Sequence, residues 1–192
     1  VEDSYELIAP IYKQIEPFRT RRAGKLSGGM KQKLALSCAL IHRPKVLFLD
    51  EPTTGVDAVS RSEFWDMLST LKEHGLTILV STPYMDEASR CDRIALCNEG
   101  RILSINTPKG IVSGFDRQLY GIKSKNMFAL LERARRSEGV IDCYPFGEKH
   151  HLITNEVFDI EQFKIQFCDV KDLEIEPIEP TIEDVFIKLM KR

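Results

Sequence analysis

Two stretches, LSGGMKQKLAL (residues 26–36) and VLFLDEPTTGVD (residues 46–57), decide the fold of the first half of this chain. The first begins a helix after a serine and two glycines. The second is a short apolar strand that ends on two acidic residues and a turn. Because the strand is an unbroken apolar run with no polar alternation, we expect it to be a fully buried parallel strand.

Helices and strands alternate outward from these stretches. Four residues share one face of the first helix: Met30, Leu34, Cys38 and Ile41. Asp57 is placed to cap the next helix, which should end at Gly75. TILVST (residues 77–82) predicts a second buried strand, and RIALC, NEG and RILSI (residues 93–105) predict a hairpin. The alternation predicts an α/β domain with a parallel sheet at its centre.

The order of the predicted helices and strands changes from about Phe115. Six segments follow in the order strand, helix, strand, strand, helix, strand: residues 117–123, 126–137, 139–146, 149–155, 159–167 and 172–178. This βαββαβ order predicts a small ferredoxin-like α+β unit. Thr181 should cap a final amphipathic helix. We therefore expect two domains, residues 1–114 and 115–192.

Composition excludes several classes of protein. The 192 residues carry a net charge of −2, so a broad electrostatic surface for nucleic acid is not expected. No apolar run approaches the roughly 18 residues of a membrane-spanning helix, and the acidic start does not resemble a signal peptide. The five cysteines are odd in number and contain no C-x-x-C pair, which favours a reducing, cytosolic setting without a disulfide framework.

The candidate chemistry lies in the two quoted stretches. Asp50 and Glu51 follow an apolar strand at the edge where parallel sheets present ligand sites; Asp50 could hold Mg²⁺ and Glu51 could accept a proton from water. Ser27, Gly28 and Gly29 start a helix, whose free backbone N–H groups and positive end favour an anion. Taken singly, each motif has an ordinary alternative. Asp50 and Glu51 could form an acidic turn at the end of a strand, and Ser27 could be an N-cap that follows a flexible segment.

Together, the motifs resemble the nucleotide-binding subunit of ABC transporters. The resemblance covers about residues 24–110, with LSGGM as the signature, VLFLDEP as the Walker B motif and TTGVD as the D-loop. The closing EPTIEDVFIKL is similar to the accessory domain of drug-resistance-type exporter ATPases. The resemblance implies an incomplete P-loop NTPase core followed by the accessory domain.

The resemblance also assigns roles. Two ATPase subunits would face each other head to tail, most simply as a homodimer, with ATP between the phosphate loop of one and the signature of the other. Ser27, Gly28 and Gly29 would hold the γ-phosphate, and Asp57 would lie at the dimer seam. Asp50 would hold Mg²⁺ through water, and Glu51 would act as the catalytic base. The motor would drive a membrane permease from the cytoplasmic face, without nucleic acid.

Two departures from the family pattern matter. The sequence contains no G-x-x-x-x-G-K-[ST], so the phosphate loop is missing; we expect a truncated chain that is inactive by itself. Pro83 also stands where the family has a histidine that contacts the γ-phosphate, and proline offers no donor.

Four alternatives stay open. Hydrolysis survives through Glu51 and the magnesium site, which the retention of Asp50 and Glu51 favours. Otherwise the subunit binds ATP and hydrolyses it poorly. The third alternative is a soluble, non-transport ABC ATPase, which the motif DEPTTGVD and the charge disfavour. The fourth is a non-enzymatic regulatory module, which only Pro83 and the missing phosphate loop support. His150 and His151 could suggest a metal site with Cys143, although a solvated strand or turn is the stronger interpretation.

Overall fold

The computed structural model describes residues 8–191 of the chain. Contacts divide the chain into two compact units, one up to Arg90 and the other from Cys91. The two domains expected from the sequence, residues 1–114 and 115–192, stay a prediction. Residues 1–7 and 192 lie outside the described range.

Within residues 8–90, a helical segment at residues 8–12 and two 3-10 turns are followed by three α-helices and two strands. In chain order the helices and strands are α1 (Gly28–Leu40), β1 (Val46–Asp50), α2 (Ala58–Glu73), β2 (Thr77–Ser81) and α3 (Met85–Ala88). The predicted alternation of helix and strand is therefore present, and β1 and β2 are parallel.

The two strands lie in register from Val46 opposite Thr77 to Asp50 opposite Ser81. The prediction that both strands are fully buried is wrong for the described chain. Phe48 is 72% exposed and Leu79 is 59% exposed, and these two residues are opposite each other. Within residues 8–191 this sheet has two strands, so no third strand of that range flanks the pair.

The predicted face of α1 is also wrong. Cys38 and Ile41 are exposed and Met30 and Leu34 are half-buried. The buried side of α1 consists of Gly29, Lys33, Leu36, Ser37 and Leu40. Lys33 can be buried because its ammonium group reaches Glu63 of α2 at 2.6 Å. An ion pair with a neighbouring helix thus replaces the purely apolar face that periodicity suggested.

Helix α2 agrees with its sequence pattern. Asp57 caps it by accepting a hydrogen bond from the Ser60 backbone N–H at 2.9 Å. Phe64, Leu68 and Leu71 are buried on one stripe. Gly75 follows the helix with a φ of +85°, the left-handed conformation that ends many helices.

The second unit begins with the predicted hairpin of β3 (Ile94–Asn98) and β4 (Arg101–Asn106), followed by the short helix α4 (Pro108–Val112). Six elements then follow: β5 (Gln118–Lys123), α5 (Met127–Ala134), β6 (Val140–Phe146), β7 (Lys149–Thr154), α6 (Ile160–Gln166) and β8 (Glu174–Pro177). Helix α7 (Ile182–Met190) ends the described chain, and a capping box of Thr181 and Asp184 begins it.

The last four strands form one antiparallel sheet in the order β6-β7-β5-β8. The two inner strands are therefore the first and third of the βαββαβ unit, which is the ferredoxin-like arrangement that the sequence predicted. Its core is a cluster of side chains from the sheet and both helices: Ile122, Leu130, Ala134, Cys143, Leu152, Phe163 and Phe167.

Candidate functional site

Asp50 ends β1 and is exposed to solvent. The hydroxyl group of Ser81, which ends the neighbouring strand β2, donates a hydrogen bond to Asp50 Oδ1. Parallel register brings the two side chains together at the carboxyl edge of the sheet, where parallel sheets present ligand sites. One exposed carboxylate beside a hydroxyl suits Mg²⁺, which binds few protein ligands and keeps water and phosphate oxygens.

Glu51 follows in an unusual backbone conformation. Its φ is +42°, in the left-handed region that non-glycine residues seldom adopt. Three hydrogen bonds hold it there: its N–H donates to Ser81 O at 2.9 Å, its carbonyl accepts from Thr54 N at 3.2 Å, and Oε2 accepts from Thr54 Oγ1 at 3.1 Å. Glu51 therefore carries an exposed carboxylate that the turn holds in place.

Ser27 caps α1 by accepting a hydrogen bond from the Met30 backbone N–H on Oγ, at 3.3 Å. This bond uses a lone pair of the hydroxyl oxygen and leaves its proton free to donate. The first turn of this 13-residue helix contains no acidic side chain, so its positive end is not offset locally. These donors fit a phosphate group.

The two signature glycines have a packing role as well. A β-carbon at Gly28 would lie 3.1 Å from Gly55 O, and one at Gly29 would lie 2.6 Å from Cβ of Ser60. Gly29 is buried, so it lets α1 approach the first turn of α2 closely. The structure thus brings the signature segment against the D-loop of the same chain.

Asp57 stands at the end of that D-loop and is exposed. The backbone hydrogen bond from Ser60 lowers the pKa of its carboxyl group below the ordinary value. Its carboxylate is therefore committed to capping α2, and a role at a dimer seam stays a prediction.

Ser81 and Thr54 are residues that the sequence analysis missed. Ser81 ends the parallel neighbour of β1, and the shared edge of two such strands was a usable signal for it. Thr54 belongs to the DEPTTGVD motif, but its bond to Glu51 depends on the turn geometry.

Pro83 lies exposed, two residues after the end of β2. His74 is the C-cap of α2, and its Nδ1 lies 2.8 Å from Thr70 O. The structure brings no histidine into a bond with Asp50 or Glu51 among the contacts that it describes.

The interpretation of His150 and His151 as solvated is wrong. Both are buried in β7, 5% and 6% exposed. His150 Nε2 lies 2.7 Å from Met127 O, and His151 Nδ1 lies 2.6 Å from Asp184 Oδ1. Burial raises the pKa of the Cys143 thiol to about 12, and no cluster of metal-binding side chains occurs among residues 8–191. These histidines hold the sheet to its helices.

The described part of the chain also contains no helix with both the length and the apolar character needed to cross a bilayer.

Comparison with known proteins gives consistent relatives. The model of the ABC transporter family matches residues 9–54. The probable multidrug ABC transporter ATP-binding protein YbhF of Escherichia coli is 39% identical over 182 residues, covering 93% of this chain and 31% of that protein. A Nod factor export ATP-binding protein I of Rhizobium leguminosarum is 34% identical over 187 residues, covering 94% of this chain and 57% of that protein. The chain thus spans less than two thirds of the length of these relatives.

Solved structures agree on the fold. The structure of cbiO1 from Clostridium perfringens, part of the ABC transporter complex cbiONQ, is 33% identical with a TM-score of 0.51 and covers 59% of this chain and 47% of that one. An ATP-binding cassette of another ABC transporter is 25% identical with a TM-score of 0.50, covering 56% and 42%. With the signature, Walker B and D-loop segments arranged as described, the chain is similar to ABC transporter ATP-binding proteins.

Proposed function

We propose that this chain forms the signature and Walker B part of an ATP-hydrolysing motor subunit of an ABC exporter. The observation that carries the proposal is the edge of the parallel sheet, where Asp50, Glu51 and Ser81 are joined by hydrogen bonds. The relatives named for multidrug transport and for Nod factor export support the exporter assignment.

The residues divide the chemistry between them. Glu51 would take a proton from the attacking water, because its carboxylate is exposed and its turn is fixed by Ser81 and Thr54. Asp50 and Ser81 would hold Mg²⁺, which neutralises phosphate charge when bound. Ser27 and the N–H groups of Gly28 and Gly29 would donate to the γ-phosphate of ATP held by a second subunit.

The phosphate-binding loop must come from outside this sequence, since no G-x-x-x-x-G-K-[ST] occurs in it. A second ATPase subunit, most simply another copy, would complete each site. A membrane permease would carry the substrate, and the motor would act at the inner face of the membrane. Permease-coupled transport fits the named relatives better than a soluble ABC ATPase does.

The test is MgATP hydrolysis by the complete nucleotide-binding protein of which this chain would form part. Glu51→Gln should lower kcat by about 100-fold or more, the loss typical of a missing general base, while ATP binding persists. Glu99→Gln is the matched control, since Glu99 is also exposed and has a φ of +48° but lies in the β3–β4 turn.

One second candidate is favoured by Pro83, which offers no donor where the family has a histidine. It is a subunit that switches on ATP binding and hydrolyses poorly. Tight ATP binding with equally slow hydrolysis in the wild type and in Glu51→Gln would support that candidate and overturn the motor.

A further inference from the structure

Glu87, in the short helix α3, is a buried carboxylate that the proposed chemistry does not use. It is 2% exposed although it lies in the acidic sequence MDEA, where a solvated side chain is the ordinary expectation. Burying a carboxylate is costly unless it is hydrogen-bonded and paired. Its contacts therefore indicate what it does.

The two oxygens of Glu87 bind two different loops. Oε1 accepts a hydrogen bond from Thr53 Oγ1 at 2.6 Å, and Oε2 accepts one from Thr82 Oγ1 at 2.6 Å. Thr53 is itself buried, 2% exposed. Arg61 of α2 lies close enough to offset the charge, with Nε 3.8 Å from Oε1.

Both threonines are next to the candidate site. Thr53 is two residues beyond Glu51 in the turn that follows β1, and its carbonyl accepts a hydrogen bond from Val56 N at 3.1 Å. Thr82 directly follows Ser81, the partner of Asp50, and its hydroxyl also accepts from Tyr84 N at 3.2 Å. Glu87 therefore joins the loop that carries the candidate base to the loop that carries Pro83.

We propose that Glu87 is a positioning residue, whose carboxylate holds the Glu51 turn and the Pro83 loop in fixed relation through Thr53 and Thr82. This inference rests on the proposed function for its effect on catalysis. The left-handed backbone at Glu51 needs such support, since its own neighbours must hold it in a conformation that is unfavourable for a glutamate.

The link that Glu87 forms between the two loops also explains how the geometry of the site is maintained without the histidine that the ABC transporter family has at position 83. Proline at position 83 restricts its own backbone, and the bond between Thr82 and Glu87 fixes the residue before it. Arg61 extends the link to α2, because its guanidinium group lies 5.0 Å from the ring centroid of Tyr84.

The experiment compares Glu87→Ala and Glu87→Gln with Asp86→Ala in the complete nucleotide-binding protein. Asp86 is the matched control because it is the exposed acidic neighbour in the same helix, and its 3.6 Å contact with Arg61 is a surface ion pair of the kind that contributes little. Glu87→Ala should lower kcat for MgATP at least about tenfold with KM changed little, because misplacing catalytic groups affects the chemical step. Glu87→Gln, which keeps an acceptor oxygen, should lose less, and Asp86→Ala should match the wild type.

Thr53→Val provides the second test, as a double-mutant cycle with Glu87→Ala. If the two side chains act through their shared hydrogen bond, the combined loss in kcat is smaller than the product of the two single losses. Independent, fully multiplicative losses would overturn the inference.

A readout that does not need hydrolysis separates the inference from the proposed function. Amide hydrogen exchange in Glu87→Ala should become faster at Thr54, Val56 and Tyr84, whose N–H groups bond within the two loops. Faster exchange there in a protein that proves to lack hydrolysis would support the positioning role and overturn the motor. Unchanged exchange, with kcat equal to that of Asp86→Ala, would overturn the positioning role and leave the motor standing.

Discussion

Two carboxylates in the described chain are buried and accept hydrogen bonds from hydroxyl groups. Glu87 accepts from Thr53 and Thr82. Asp184, 0% exposed, accepts from Tyr144 Oη at 2.5 Å and lies 2.6 Å from His151 Nδ1. In both cases one side chain joins elements that are distant in sequence, so a single substitution should affect more than its own helix.

Asp184 makes stability depend on pH. Burial raises the pKa of its carboxyl group, but the hydrogen bonds from His151, Tyr144 and Thr181 outweigh burial and leave the pKa below the ordinary 3.8. A lowered pKa in the folded state stabilises the protein above the unfolded value, and this contribution disappears as pH falls through the folded value.

We therefore expect Asp184→Asn to lower the free energy of unfolding by roughly 2 kcal/mol at neutral pH, because it removes charge-assisted hydrogen bonds. The difference from the wild type should shrink as pH falls below 3.8. Urea denaturation at pH 7, 4 and 3 measures it, with the exposed neighbour Glu183→Gln as control. A difference that stays constant with pH would contradict the assignment of the charge to Asp184.

At the scale of elements, the approach of α1 to α2 depends on Gly29. A β-carbon there would lie 2.6 Å from Cβ of Ser60, an atom fixed to the helix backbone, so the helices would have to move apart. Gly29→Ala should lower the free energy of unfolding by about 1–3 kcal/mol, as other overpacked sites do.

Thermal or urea denaturation of three variants tests this prediction. Gly24→Ala is the matched control, since nothing lies within 4 Å of a β-carbon at that position. Adding Ser60→Gly to Gly29→Ala should recover part of the loss, because it removes the colliding atoms. A Gly29→Ala protein as stable as Gly24→Ala would show that the close approach is not required.

The helices and strands show which structural features a local sequence pattern can predict and which it cannot. The caps Asp57 and Thr181 were predicted because a cap and the backbone N–H that it bonds are only three residues apart in the sequence. The burial of β1 was predicted wrongly, because an apolar run does not say which other segments cover it. The face of α1 was missed for a similar reason, since Lys33 is buried only through its bond to Glu63.

At the scale of the whole molecule, each unit has buried side chains of its own. Leu40 of α1 and Leu152 of β7 are both 0% exposed, one in each unit. Truncating a buried leucine typically costs 2–5 kcal/mol, through lost transfer energy and the cavity left behind.

Leu152→Ala should therefore lower stability by about 2–5 kcal/mol, with the loss of amide protection concentrated in the sheet formed by β5 to β8. Leu40→Ala should instead affect α1 and its neighbours. Hydrogen exchange with mass spectrometry on both variants distinguishes the patterns. Equal loss of protection in α1 for both substitutions would contradict separate cores.

The sequence predicted which residues form the candidate site better than it predicted the hydrogen bonds between them. Asp50 and Glu51 were found from their place after an apolar strand, and the ends of β1 and β2 do meet at one edge. The hydrogen bonds of Ser81, Thr54 and Glu87 were not predicted, because each depends on turn geometry or on a partner from another segment.

By itself the sequence determined the order of helices and strands, the caps and the ferredoxin-like βαββαβ unit, since these depend on residues within a few positions of one another. Only the tertiary structure decided which polar groups are buried. Thr53 meets Glu87 across 34 positions of sequence, and His151 meets Asp184 across 33. Such pairs exist because packing removes water from both partners at once, and no local pattern records which distant side chain will replace that water.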